Sequence, residues 1–236
     1  MKEPGILFVD LHGTLIPTAF LISRAFADFV HSRCPSVSKR KLVRYYLDFQ
    51  GTPLEEKVLH GLHLGGRKQV SKTELNALMK QLWNQIVQMP LKPYPETVAD
   101  LNELKSRGWK LFLSTDNPAW VARAFLEKTG LRSLFFGVLG QPRAGVHKVT
   151  AHVQQLALQF GIGSGHLKNR VAFYGDSLGE MQAARKAGII AIGRTTSYSQ
   201  HAMRKAGAHA VVVGSGVLVQ GRLKRHLARH VQSPKP

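Results

Sequence analysis

One short stretch, Phe8–Leu15, constrains the fold more than any other part of the chain. An apolar run from Ile6 to Val9 predicts a buried strand, which ends on Asp10 and is followed by a Gly-Thr turn. Open α/β sheets bind their ligands beside the carboxyl ends of the strands. A carboxylate in that place can attack phosphorus and form an aspartyl-phosphate. Asp10 could instead only cap the turn after the strand. The rest of the sequence decides between these two interpretations.

Strand and helix patterns alternate along most of the remaining chain. Further strands are predicted at 110–115, 134–139, 171–175, 189–192 and 209–213. Helical patterns separate them, and a last helix is predicted at 218–230. This alternation predicts an α/β fold, with a Rossmann-like parallel sheet, right-handed crossovers and helices on both faces.

The alternation stops between Pro17 and Pro93, where the pattern is helical throughout. Apolar residues recur at helical spacing in three segments, Phe20–Val30, Leu42–Leu47 and Leu75–Ile86. Glycine and proline residues provide the breaks between them. We therefore predict an all-helical cap domain at residues 18–92, inserted into an α/β core domain made of residues 1–17 and 93–236.

The charge is the most unusual feature of the composition. The chain has 33 Lys and Arg against 14 Asp and Glu, a formal net charge of +19. This imbalance favours anionic partners, such as RNA, a ribosomal particle or a phosphorylated substrate. A single cysteine, Cys34, indicates a reducing compartment without a disulfide framework. No apolar run is long enough to span a membrane, so we expect no membrane partner and a cytoplasmic location, with an organellar matrix as the open alternative.

Three of the predicted strands end in polar residues that such a sheet would bring to one edge. These residues are Asp10, Thr115 with Asp116, and Asp176. Asp10 and Asp176 would form a pair of carboxylates, which suits Mg²⁺. Lys148 precedes another predicted helix and would offset the charge of that pair. The Thr115 hydroxyl and the amides after it, at a helix N-terminus, could hold phosphate oxygens.

These motifs, taken in order, resemble those of the haloacid dehalogenase superfamily, and in particular its phosphoglycolate phosphatase type with a helical cap. The matching segments are Asp10–Leu15, Leu113–Pro118, His147–Lys148, Tyr174–Glu180 and Met181–Gly188. Together they extend over nearly the whole chain. The resemblance implies a Mg²⁺-dependent phosphohydrolase that cleaves a small phosphate monoester through an aspartyl-phosphate.

The resemblance also implies roles for individual positions around the metal. Asp10 would be the nucleophile and a Mg²⁺ ligand, and Asp176 would hold the metal from a neighbouring strand. The backbone carbonyl of His12 would be a further ligand. Glu180 stands where the family usually has a second acid, which would position the waters of the metal.

The same resemblance implies that three positions would contact the phosphate. Thr115 would orient the phosphoryl group, with Asp116 beside it at a place often taken by Asn. Lys148 would stabilise both the nucleophile and the transferred phosphate.

The largest departure from the family pattern is His12, which stands where its phosphatases usually carry an Asp as general acid and base. Such catalysis contributes about 10²–10⁴-fold to a rate. An imidazole with an ordinary pKa of about 6.5 can transfer protons near neutral pH. One hypothesis is therefore a phosphatase that uses His12 as its acid and base. The alternative is a catalytically degenerate protein of the same fold, which serves as a basic RNA- or ribosome-associated structural component.

Overall fold

The structure is a computed structural model that describes residues 5–49, 52–143, 145–163, 166–167 and 170–213. The described part of the chain divides into two compact units, one formed by its residues up to 16 and from 92 onward, and the other by its residues between 17 and 91. Within the described ranges, no helix has both the length and the apolar character that crossing a bilayer requires. The predicted helix at 218–230 lies outside these ranges.

The first unit is built on a parallel sheet, with six strands among its described residues. The strands are β1 (Ile6–Asp10), β2 (Lys110–Ser114), β3 (Gly137–Leu139), β4 (Val171–Gly175), β5 (Ile190–Arg194) and β6 (Ala210–Val212). Their spatial order is β3-β2-β1-β4-β5-β6, and every neighbouring pair is parallel. The predicted α/β fold with a Rossmann-like parallel sheet is confirmed.

The second unit is helical, and its described residues contain no strand. Its helices are α1 (Ala19–His31), α2 (Lys39–Asp48), α3 (Leu54–Leu64) and α4 (Lys72–Gln88). Ser38 and Ser71 begin α2 and α4 as N-caps, because each hydroxyl accepts a hydrogen bond from a backbone N–H three residues later. The helices bury an apolar stripe that includes Phe26, Leu42 and Leu82, as the helical spacing of the sequence predicts.

The helices of the first unit alternate with its strands. Among the described residues they include α5 (Pro95–Ser106), α6 (Ala119–Lys128), α7 (Lys148–Gln159), α8 (Leu178–Lys186) and α9 (Gln200–Lys205). The short helix α9 was not predicted. The strand predicted at 134–139 is shorter, because Arg132–Leu134 forms one 3₁₀ turn and pairing starts at Gly137. A short apolar run does not distinguish a strand from a buried helical turn.

β1 lies between β2 and β4 in the sheet and is buried on both faces. All five residues of the strand are buried, as expected for a central parallel strand. The Phe8 ring lies 6.2 Å from that of Phe112 on β2 and 6.3 Å from that of Phe173 on β4. These contacts hold the three strands side by side, so their carboxyl ends lie next to one another at one edge of the sheet.

Candidate active site

The predicted site residues lie at this carboxyl edge of the sheet. Asp10 is the last residue of β1, and Asp176 directly follows β4. Thr115 and Asp116 directly follow β2, and Lys148 is the first residue of α7. All of them are buried except Asp116, whose side chain is 67% exposed. The fold therefore assembles side chains that lie up to 166 residues apart in the sequence.

The Lys148 ammonium links three carboxylates. Its Nζ lies 2.5 Å from Asp10 Oδ1, 2.7 Å from Glu180 Oε1 and 3.4 Å from Asp116 Oδ2. Burial opposes the charge of the ammonium, but the three carboxylates together raise the pKa of Lys148 well above its usual range. Lys148 is therefore a fixed positive charge beside Asp10.

Three buried acids, Asp10, Asp176 and Glu180, form a cluster in which the ligand oxygens lie within 4.8 Å of one another. Burial raises the pKa of Asp10 well above its usual range, and Glu180 and Asp176 add to this effect while Lys148 opposes it. Burial followed by the charge of Glu180 raises the pKa of Asp176 to about 6. Three carboxylates facing one buried ammonium leave an excess of negative charge. This donor set fits a hard divalent cation, which prefers carboxylate oxygens.

Two glycines let these carboxylates approach the backbone. Gly13 has a positive φ of 75°, and a Cβ at this position would overlap the Asp176 carboxylate. A Cβ on Gly175 would overlap the Glu180 carboxylate. Both positions therefore require glycine because the acids occupy the space of a side chain.

Glu180 is held by the N-terminus of α8. The Ser177 hydroxyl accepts a hydrogen bond from the Glu180 backbone N–H at 3.2 Å, and Glu180 Oε2 accepts one from the Ser177 N–H at 3.1 Å. This reciprocal pair is a capping box. Since Oε1 contacts Lys148, both oxygens of Glu180 already have partners.

His12 lies in the turn after β1, and its surroundings disfavour a charged ring. Its Nε2 contacts the side-chain amide of Asn117, and its ring meets Phe125 edge-on at 6.0 Å. Burial, and then the charge of Lys148, lower the pKa of His12 to about 3, although the contact with Asn117 acts in the opposite direction. This value differs from the ordinary imidazole pKa on which the hypothesis of proton transfer by His12 depends, and the ring is neutral at pH 7.

The Thr115 hydroxyl lies in the tight turn that follows β2. It accepts a hydrogen bond from the Asn117 backbone N–H at 3.2 Å, and the Thr115 N–H donates to Leu139 O at 3.0 Å. The turn leads through Pro118 to α6. The assignments of Thr115, Asp116 and Lys148 to phosphate binding stay predictions.

The sequence did not single out two hydroxyl residues that contact the site, Thr196 and Ser197. Ser197 Oγ donates to Asp176 Oδ2 at 2.5 Å. Thr196 Oγ1 lies 2.7 Å from Gly13 O and 3.1 Å from Asp176 Oδ2. The sequence position of these two residues was a possible signal. Both follow a predicted strand, at the edge of the sheet where the other site residues were expected. The contact between Asn117 and His12 was likewise not predicted.

Comparison with known proteins identifies relatives along most of the chain. A sequence model of the haloacid dehalogenase-like hydrolases matches residues 6–193. A phosphoglycolate phosphatase of Yersinia pseudotuberculosis is 27% identical over 198 residues, which cover 83% of this chain and 82% of that protein. One from Pasteurella multocida is 25% identical over 207 residues, covering 84% and 89% of the two chains.

Solved structures share the fold. A predicted phosphoglycolate phosphatase of Haemophilus somnus superposes with a TM-score of 0.73 at 20% identity, covering 93% of this chain and 97% of the other. CbbY of Rhodobacter sphaeroides, solved in complex with xylulose-1,5-bisphosphate, gives a TM-score of 0.67 at 22% identity, covering 90% and 94%. These comparisons give no support to the alternative of an RNA- or ribosome-associated structural component.

Proposed function

This chain belongs to the haloacid dehalogenase-like hydrolases and is a phosphatase, and we propose that it hydrolyses a phosphate monoester through an aspartyl-phosphate on Asp10. One observation carries the proposal. The Asp10 carboxylate is buried at the end of the central strand, with the Lys148 ammonium 2.5 Å from its Oδ1. A carboxylate placed in this way can be the nucleophile, and the cation beside it would stabilise charge on the transferred phosphoryl group.

The reaction then has two steps. In the first, an oxygen of Asp10 forms a bond to phosphorus, and the bond from phosphorus to the ester oxygen of the substrate breaks. In the second, water attacks phosphorus, inorganic phosphate leaves and the Asp10 carboxylate is restored. Thr115 would orient the phosphoryl oxygens in both steps. We also propose His12 as the acid and base of the two steps, although with a pKa of about 3 its neutral ring is a weaker base than an ordinary imidazole.

We propose Mg²⁺ as the cofactor, held directly by Asp10 and Asp176 and by the backbone carbonyl of His12. Bound there, Mg²⁺ would neutralise charge on the nucleophile and on the phosphoryl oxygens. The oxygens of Glu180 already contact Lys148 and Ser177, which supports a role for Glu180 through water molecules. The Asp116 side chain is exposed and ends in a carboxylate, which repels a phosphate. Any contact of this position with phosphate would therefore involve its backbone amide.

We propose a small phosphorylated molecule as the substrate. Phosphoglycolate is the first compound to test, because the curated relatives are named as phosphatases of that compound. The assignment of residues 18–92 as a cap domain that selects the substrate, on a core of residues 1–17 and 93–236, is part of the same proposal. Lids of this kind sequester the reaction from water.

The proposal is tested by phosphate release from phosphoglycolate and from an aryl phosphate, with Mg²⁺ and with a chelator. We expect Mg²⁺-dependent turnover by the wild type and a loss of at least about a thousandfold in Asp10→Asn, because the amide is a poor nucleophile. Asp100→Asn is the matched control, since it also removes a buried carboxylate but on α5. Retention of more than a tenth of the activity by Asp10→Asn would exclude Asp10 as the nucleophile.

A further inference from the structure

We propose that Ser197 is a positioning residue for Asp176, and that Thr196 fixes the loop that carries it. The inference rests on the proposed function, because it treats Asp176 as a metal ligand. It concerns the loop after β5, which none of the motifs recognised in the sequence includes.

The contact between Ser197 and Asp176 is short and involves only one carboxylate oxygen. Ser197 Oγ donates to Asp176 Oδ2 at 2.5 Å. A carboxylate held through one oxygen keeps a fixed plane, so its other oxygen has a fixed direction. Groups that bond the ligands of a metal in this way orient them, and losing one such group commonly weakens metal binding by about 10–100-fold.

Thr196 connects the same loop to the turn that follows the nucleophile. Its hydroxyl lies 2.7 Å from Gly13 O and 3.1 Å from Asp176 Oδ2. One hydroxyl hydrogen serves one acceptor at a time, and the shorter distance favours Gly13. Ser197 is therefore the main donor to Asp176, whereas Thr196 holds the loop against the β1 turn.

Arg194 anchors the start of the loop. Its side chain is 2% exposed, with Nη2 2.7 Å from Glu96 Oε1. Its Nη1 donates to Thr97 Oγ1 at 2.5 Å and to the Tyr174 hydroxyl at 3.1 Å. A buried guanidinium with these partners connects the end of β5 to β4 and to the N-terminus of α5, so the residues that follow it start from a fixed point.

The side chains around Arg194 also reach the turn after β1, through a second set of hydrogen bonds. The Thr97 hydroxyl that accepts from Arg194 lies 3.4 Å from the backbone carbonyl of Thr14 and donates to it. The loop after β5 is thus connected to the turn at Gly13 directly and at Thr14 through Arg194. The loop that contacts Asp176 therefore also contacts the turn that follows Asp10.

The test is calorimetric titration of Mg²⁺ alone into the wild type and variants, without substrate. We expect Ser197→Ala to weaken Mg²⁺ binding by about 10–100-fold, and Ser197→Thr to restore most of the affinity because it keeps the hydroxyl. Thr196→Val should weaken binding more than Thr196→Ser. Ser199→Ala is the matched control, since it removes a hydroxyl two residues further on that caps α9.

Each outcome has one interpretation. Weaker binding in Ser197→Ala, rescue by Ser197→Thr and unchanged affinity in Ser199→Ala support the inference, with thermal unfolding without metal showing that all variants are folded. Equal dissociation constants for the wild type and Ser197→Ala overturn it and leave the proposed function intact. A wild type that binds no Mg²⁺ overturns both this inference and the proposed cofactor.

Discussion

At the scale of single residues, the low pKa of His12 limits how much help this ring would give to the proposed reaction. A neutral imidazole whose conjugate acid has a pKa of about 3 is a weak donor to a leaving alkoxide at pH 7, because almost none of it carries the extra proton. The same low pKa also makes the neutral ring a weak base toward water. Substrates whose leaving group is already a weak base should therefore be cleaved more easily than simple alkyl esters.

The low pKa of His12 predicts how His12→Asp should behave. The substitution should raise kcat on an alkyl phosphate by about 10–100-fold, since the burial that lowers the pKa of a histidine here would raise that of a carboxyl group and leave more of it protonated as an acid. The gain on an aryl phosphate should be smaller, because that leaving group needs little protonation. His12→Asn is the control that transfers no proton. The idea fails if His12→Asp lowers kcat on both substrates to the level of His12→Asn.

At the scale of elements, the turn after β1 depends on a glycine for two separate reasons. Gly13 has a left-handed φ of 75°, and its missing side chain leaves room for Asp176. Gly130, at the end of α6, has a similar φ of 70°, but a Cβ there would have no heavy atom within 4 Å. The two positions therefore separate backbone strain from crowding of the carboxylate.

We expect Gly130→Ala to lower the free energy of unfolding by about 1–2 kcal/mol, because an alanine is forced into the left-handed region. Gly13→Ala should lower it by at least as much, because its methyl group would also overlap the Asp176 carboxylate. Only Gly13→Ala should also weaken Mg²⁺ binding, since its methyl group would displace Asp176. Urea unfolding without metal and calorimetry with Mg²⁺ measure the two effects. Equal Mg²⁺ affinity in both variants would show that the close approach of Gly13 to Asp176 has no part in metal binding.

The elements also show how far the sequence could predict this site. Apolar runs that end on Asp10, Thr115 and Asp176 predict strands and their polar ends, and parallel topology then brings those ends to one edge. The pairing of Ser197 with Asp176 could not be predicted, because loop contacts depend on backbone directions that leave no periodic pattern. The short helix α9 and the 3₁₀ turn were missed because each is too short for its apolar spacing to be distinctive.

At the scale of the whole molecule, the positive charge has a simple consequence for an enzyme that acts on phosphates. A formal net charge of +19 raises the rate at which anionic substrates arrive, and salt weakens this effect. The same charge suggested RNA as a partner from the sequence, but the comparisons with known proteins support a phosphatase. A steering role requires no contact with nucleic acid. The net positive charge would also offset the repulsion between the buried acids of the site and an anionic substrate.

That buried negative charge connects the stability of the whole protein to pH and to metal. Asp176 has a pKa of about 6 in the fold, against an ordinary value of 3.8, so the folded state holds this proton more tightly than the unfolded state. Its contribution to stability is complete below pH 3.8 and is lost as pH rises through about 6. A shift of this size corresponds to about 3 kcal/mol.

Without metal, the free energy of unfolding of the wild type relative to Asp176→Asn should therefore fall by about 2.4 kcal/mol between pH 4 and pH 7. Mg²⁺ at about 100 times its dissociation constant should return about 2.7 kcal/mol to the wild type at pH 7. Asp176→Asn should gain much less, because it lacks one of the carboxylates that would bind the ion. Urea unfolding at four pH values, with a chelator or with Mg²⁺, measures both effects. A difference between the two proteins that stays constant or grows with pH would mean that Asp176 is ionised throughout this range, and that Lys148 compensates the acid cluster without a cation.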